Sequence, residues 1–496
     1  MRIRLSLGAV VSAAWLTFIP IDVSTRHAQP PGDVAIIGAA IIDATGSAPR
    51  VRSVFIRDGR IEAIRATTGD TPVRRGTTVI DGHGRFLIPG LWDMHVHLAV
   101  RPEPELAERI MLPMFLAHGV VGVRDMGGPL DRVVALRDRV KAGELVGPRI
   151  LTPGPFLDGP GTEDAAFRHV TSAADVKGAI DALVSTRVDF LKVQANLGDE
   201  AYSAIVREAR ARHLSVVGHI PVALSAERVI EAGQRSVEHI SPALVGDAGL
   251  LFACSNRADE LRAELRAIER DRHGSKPADI AAREAVLRRR LVETYDEARA
   301  QAIGRLLHRH GTWIVPTLIW SNSFRPLRAD DTGAGVPLEH VPAATRTRWQ
   351  QRRAALLKAG NPSDFQAASD VARVAQKAVG ALHRAGAAVL AGTDTFDAFV
   401  LPGVSLHQEL GLLVGAGLTQ LEAIQAATRN AAAYRGSAAR EGTIERGKRA
   451  DLVLLDADPL ADISNVARVH AVVADGRVFR REDLDRLLDG ARTSAR

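Results

Sequence analysis

The chain has 496 residues, 46% hydrophobic and 25% charged, with a single cysteine and a formal net charge of +6. That apolar content supports a large core and excludes a disordered chain, and one cysteine excludes an internal disulfide framework. The positive balance comes from arginines interleaved with acids on polar helical stretches such as Leu287 to Leu291, which excludes a nucleic-acid stripe with interleaved aromatics.

Residues 1–29 read as an export signal: Arg2 and Arg4, an apolar run too short and interrupted for a stable membrane span, then a polar stretch before Pro30. A periplasmic or secreted protein is expected. Next, VAIIGAAIID and VFIRDGRIEAI alternate apolar and polar residues, the second around an Asp58-Gly59 hairpin turn. Far downstream, ADLVLLDAD and AVVADGRVF do the same around Asp475-Gly476. Strands from the two ends of a chain commonly pair when the middle closes on itself. Residues 30–89 and 436–485 are therefore expected to form one small β-domain, with a tail at 486–496.

Between them, in residues 90–435, short apolar runs alternate with helical patterns, the signature of βα units. There are eight: LWDMHVHL from Leu91, VVGVRDMG from Val120, RILTPGPF from Arg149, DFLKVQ from Asp189, SVVGHIP from Ser215, SVEHIS from Ser236, TWIVPTL from Thr312 and AAVLAGTD from Ala387. Eight parallel strands close an α/β chain into a (β/α)8 TIM barrel. Helical insertions near 255–310 and 342–385 follow strands six and seven, where they start on the rim that a lid would cover; plain packing helices are the alternative reading.

A barrel of this kind carries its functional side chains at the C-terminal ends of several strands. Strand one ends in Asp93-Met94-His95-Val96-His97, and the spacing of His95 and His97 puts both on one face of the strand, able to grip one metal. Sixteen histidines in this length give roughly half an H-x-H by chance, so the pair alone decides little. His219 ends strand five, His239 strand six and Asp394 strand eight. Lys192 ends strand four, where an ammonium would oppose metal cations; a buried lysine loses its proton readily, and the neutral amine can add carbon dioxide to give a carbamate with two oxygens for two metals. The set His95, His97, Lys192, His219, His239 and Asp394 offers four imidazoles and two oxygen donors, suited to two divalent ions such as zinc.

With these residues in place, the chain resembles the amidohydrolase superfamily, in particular its imidazolonepropionase-like and Xaa-Pro-dipeptidase-like branch. LIPGLWDMHVHL, GVVGVRDMGG, VVGHIP, SVEHIS, AGTDT, GLTQLEAIQAATRNAA and GTIERGKRADLVLLDADP follow that branch's order from about residue 34 to about 485. The resemblance implies a barrel flanked by a β-sandwich, a carboxylated Lys192 and usually two metals. It departs from the dipeptidases where FLDGPGTED replaces a Gly-Gly-His-Gly-like turn and HIPVA lacks an aromatic after the fifth-strand histidine, so substrate specificity does not carry over.

The mechanism expected from the resemblance has His95, His97, Asp394 and carboxylated Lys192 on the more buried metal, His219, His239 and the same carbamate on the second, and a bridging hydroxide as nucleophile. Asp394 would shuttle the proton to the leaving nitrogen. Arg124, at the end of strand two beside Asp125, is a candidate contact for a substrate carboxylate, with a structural ion pair as the stronger reading. His118, His383 and His407 read as structural or surface residues. The expected substrate is a small molecule, a dipeptide or N-acyl amino acid; the alternatives are a lactone, a cyclic amide or an organophosphate ester on the same site, or an idle metal-binding protein. No nucleic-acid partner is expected, and a homo-oligomer is compatible with the sequence.

Overall fold

The computed structural model describes residues 32–67, 72–100, 105–161, 164–241, 249–272, 274–323, 336–359 and 362–496. The export signal expected at 1–29 lies outside the described residues. Among those described, no helix is long and apolar enough to cross a membrane.

Strands from both ends of the chain share one eight-stranded sheet. Its order runs Arg477–Arg480, Val469–Ala474, Leu452–Leu455, Phe86–Pro89, Val34–Ile41, Arg50–Arg57 and Arg60–Ala66, with Thr78–Asp81 beside Val34–Ile41. Both expected hairpins are present. Asp58 (φ 50°) and Gly59 (φ 69°) turn one, and Asp475 (φ 49°) and Gly476 (φ 75°) the other; two successive positive φ values fit the right-handed twist of the flanking strands. The two-residue period of a strand puts Leu452 and Leu454 into a core shared with Val34, Ile36, Val54, Ile56 and Leu87, while Val453 and Leu455 face the main core of the molecule. The sheet is thus buried on both faces, which explains the nearly continuous apolar run of LVLL.

The central part is built of parallel strands with helices between them. Strands one to three, Leu91–Val96, Val120–Asp125 and Arg149–Leu151, form one parallel sheet. Strands four to seven, Leu191–Val193, Val216–Gly218, Ser236–Glu238 and Trp313–Val315, belong to another, which also takes in Phe156–Asp158 and Phe167–His169. The amide of Asp189 donates to the carbonyl of Thr152 at 2.9 Å, linking strand three to the approach of strand four. The eighth expected strand, at Ala387, forms no ladder. It joins strand seven through the Ile314 amide to Ala388 (2.9 Å) and the Leu390 amide to Ile314 (2.9 Å), and meets strand one through the Met94 amide to Ala391 (2.9 Å). Its backbone then takes a left-handed conformation at Asp394 (φ 63°), where the site begins.

After strand six come helices Ala258–Asp271, Pro277–Glu293 and Glu297–His310, and after strand seven Ala343–Ala359 and Pro362–Arg384. Most of residues 486–496 belong to helix Arg481–Ser494, in which Leu484 and Ala491 are buried. The apolar residues Leu484, Leu487, Leu488 and Ala491 recur at helical spacing, so this end has a face to bury.

Candidate metal centre

His95 and His97 leave strand one with their rings 5.4 Å apart, and the chain of imidazoles continues through His239, 4.7 Å from His95, to His219, 4.8 Å from His239. Asp394 lies against three of them. Its Oδ1 is 3.5 Å from His95 Nε2 and 3.2 Å from His97 Nε2, and its Oδ2 is 3.9 Å from His239 Nε2. One ligand atom from each of His95, His97 and Asp394 falls within 4.8 Å of the others.

In each of these three histidines Nδ1 has a partner of its own. His95 Nδ1 is 3.0 Å from Glu238 Oε2, His97 Nδ1 donates to the carbonyl of Gly127 at 3.1 Å, and His239 Nδ1 is 2.7 Å from Thr317 Oγ1. A partner on Nδ1 fixes the ring and leaves Nε2 as the outward lone pair, the arrangement usual for metal-binding histidines. His95 Nε2 and His219 Nδ1 are buried with no hydrogen-bond partner. Two orphaned imidazole nitrogens beside a buried carboxylate are costly as they stand, and they fit a divalent cation.

Lys192 lies on strand four in register with Val217 and is 1% exposed. Gly218, next to His219, is what lets it pass: at φ +130°, a Cβ there would come within 2.2 Å of the Val193 carbonyl and 2.9 Å of Lys192 Cδ. Gly392 does the same for strand eight, where a Cβ would stand 2.9 Å from His95 Cβ and backbone nitrogen. His239 (φ 64°) and Asp394 (φ 63°) both hold the left-handed conformation, uncommon for residues with a Cβ and frequent where a site dictates the backbone.

The charges sort cleanly. Burial and then the charge of Lys192 push His219 well below the usual imidazole range; burial and then His95 do so for His239. His95 falls to about 4, through burial above all. Burial works against a proton on His97 too, but Asp394 outweighs it and the pKa is raised. Burial alone would raise Asp394; His95 and His97 hold it well below the usual carboxylate range instead. Burial thus disfavours a proton on His95, His219 and His239, while the neighbouring imidazoles favour the ionised form of Asp394.

Arg124, considered as a substrate contact or a structural ion pair, is engaged within the protein. Its side chain is fully buried and its donors are committed: Nε to the Met94 carbonyl at 2.6 Å, one terminal nitrogen to Ser236 Oγ (3.1 Å) and Tyr434 OH (2.9 Å), the other to Glu238 Oε2 at 2.7 Å. Burial would raise Glu238, but Arg124 and His95 hold it ionised. Asp125, also buried, accepts from the Leu98 amide (2.8 Å), the Gly127 amide (3.3 Å) and Thr152 Oγ1 (2.9 Å), so it shapes the turn whose carbonyl holds His97. Glu238, Thr317 and Tyr434 escaped the sequence reading. Only Glu238, directly before His239, carried a signal there: a carboxylate within a short strand that is buried throughout.

Phe156, 5.5 Å from the His97 ring, and Trp320, 4.8 Å from the His239 ring, add aromatic walls.

The family model described as "Amidohydrolase family" matches residues 86–479. Over 141 residues the chain is 38% identical to a dihydroorotase of Anaeromyxobacter dehalogenans (strain 2CP-C), a match covering 27% of this chain and 32% of that protein. The chain spans about a third of the length of the curated relatives it matches. Among solved structures, it is similar to a bottromycin amidohydrolase (23% identity, TM-score 0.71, 94% of this chain and 91% of that one). It is also similar to a Xaa-Pro dipeptidase with methionine bound in its active site (20% identity, TM-score 0.62, 90% and 100%). At these identities the two structures speak for the fold.

Proposed function

This chain belongs to the amidohydrolase family, and from that premise we propose that it is a metal-dependent hydrolase cleaving the C–N amide bond of a dipeptide or N-acyl amino acid. In this reading the parallel strands are a closed (β/α)8 barrel and the sheet built from both chain ends is a β-sandwich beside it. The observation that carries it is the convergence of His95, His97 and His239, each held at Nδ1 by a separate partner, on the one carboxylate of Asp394.

His95, His97 and Asp394 would hold one divalent ion, and His219 and His239 a second. Lys192, carboxylated on Nζ, would supply an oxygen to each. An ammonium buried among four imidazoles and beside two cations is electrostatically unfavourable, and carboxylation replaces its positive charge with a negative one. The donor set of imidazoles and carboxylates suits zinc. When bound, such ions activate water near neutral pH and polarise a carbonyl.

The side chains have their own tasks. Asp394, ionised and hydrogen-bonded by His97, takes the proton of the attacking water and returns it to the leaving nitrogen, a role worth about 10² to 10⁴ in rate. Glu238 keeps His95 in one tautomer, as Thr317 orients His239. Phe156 and Trp320 limit water around the imidazoles.

The test is a panel of dipeptides, N-acyl amino acids, lactones and hydantoin-like rings on purified, zinc-loaded protein. Turnover of linear amides is expected, with Asp394→Asn slower by at least about 10². Turnover confined to lactones or rings would overturn the assignment.

A further inference from the structure

Apart from the histidine and aspartate cluster, a cavity of about 330 Å³ opens between the segments that follow strands five and six. Its wall includes Ile220, Ser225, Glu227, Phe252, Arg262 and Arg299. Ile220 directly follows His219. Gly249, also in the wall, precedes Leu250, whose amide donates to the carbonyl of His239 at 3.3 Å. The cavity is thus built on the same two loops as the histidines of the second ion.

The polar groups of this wall are unequally satisfied. Arg299 donates to Glu227 Oε1 at 2.7 Å, and Ser225 Oγ accepts from the Arg228 amide at 3.0 Å. Arg262 has no comparable partner. Its side chain is 12% exposed, its nearest carboxylate is Asp259 at 3.8 Å, itself 99% exposed, and its Nε is buried without a hydrogen bond. Burial and the like charge of Arg266, one helical turn away, disfavour the protonated form and outweigh Asp259 and Glu227, the two carboxylates of the wall, which favour it. A guanidinium still keeps its proton at neutral pH, and the exposed carboxylate of Asp259 offsets the desolvation of this mostly buried one only in part.

We propose that this cavity binds a carboxylate, with Arg262 as the residue that receives it. Its volume is at the small end of ligand pockets, about 300–1,000 Å³, and suits the end group of an amino acid or a small organic acid. The carboxylate has two sources: that of the amide substrate, which rests on the hydrolase reading above, or a separate acid acting beside it.

The experiment is calorimetric titration of the full chain with N-acetylglycine and with its neutral analogue N-acetylglycinamide. Wild type, Arg262→Met, Arg262→Lys and the turnover-deficient Asp394→Asn are compared. Wild type and Asp394→Asn should bind the acid about tenfold or more tightly than the amide; Arg262→Met should lose that preference, and Arg262→Lys, which keeps the charge without the fork, should fall between. If the substrate supplies the carboxylate, Arg262→Met raises KM for acid-bearing amides relative to neutral ones. If a separate acid does, added propionate, which has no amide to cleave, changes kcat without competing, and only when Arg262 is present. Either pattern supports the site. Binding of the acid that is absent in wild type, or unchanged in Arg262→Met, overturns it. Acid binding through Arg262 in a protein that turns over no amide would sink the hydrolase reading and leave the carboxylate site standing.

Discussion

His407 shows what burial does to a residue that the sequence marks only as a histidine. It is 8% exposed and its Nε2 donates to the His118 carbonyl at 2.9 Å. Burial first, and then the charge of His118, lower its pKa from 6.5 to about 3. Between those values the unfolded chain holds the extra proton, so this contribution to stability is complete above pH 6.5 and is lost as the pH falls toward 3. At pH 5 the loss from His407 is up to about 2 kcal/mol. His407→Gln, which keeps an N–H donor for the His118 carbonyl, should flatten the change in urea midpoint between pH 7 and pH 5; an unaltered slope would show that His407 does not govern it. The same contrast separates what was legible in the sequence from what was not. His95, His97, His219, His239 and Asp394 stood out because each falls at the C-terminal end of an expected strand, on the rim where a barrel carries its functional side chains. Their supports did not. Arg124 reads as a substrate contact or one half of an ion pair, and its partners, Met94, Ser236, Glu238 and Tyr434, come to it from other parts of the chain.

Between elements, the clearest device is Glu409 on helix Val404–Gly415. It is fully buried and accepts from the amides of Leu318 (3.1 Å) and Ile319 (2.7 Å). Those amides start the short helix Leu318–Ser323 directly after Thr317, whose hydroxyl meets His239. One carboxylate on a distant helix thereby fixes the turn that aims a candidate ligand. Glu409→Ala leaves two buried donors unpaired and should cost about 2–4 kcal/mol, and it should weaken metal retention about 10- to 100-fold. Chelator competition checks this, with Glu409→Gln, which keeps one acceptor oxygen, expected to lie between. Lost stability with undiminished metal affinity would reduce Glu409 to a packing residue. The element patterns were legible where periodicity was strong: both hairpins, and seven of the eight expected strands. Strand eight was not readable as a broken element, because AAVLAG is a good strand sequence. It pairs through an isolated bridge at Val389, and its backbone turns left-handed at Asp394, a demand of the site rather than of local propensity.

Across the whole molecule, the pairing of Phe86–Pro89 with Leu452–Leu455 brings the two ends of the chain into one sheet. Asp394, near the end of the central part, reaches His95 near its start through the same return: the Asp394 amide donates to the His95 carbonyl at 2.7 Å. The candidate centre thus depends on contacts across some three hundred residues, and the terminal helix Arg481–Ser494 adds a buried apolar face where the sequence suggested a tail. Lys192 is the residue on which the proposed centre turns, since unmodified it would repel the ions that its carbamate would join. The decisive measurement is metal content and amide turnover of Lys192→Arg beside wild type. Arginine keeps the charge and approximate length but remains protonated and cannot be carboxylated. Two ions per chain in wild type, with loss of metal and turnover together in Lys192→Arg, is the predicted result. Full metal loading with near-normal turnover in Lys192→Arg would contradict it.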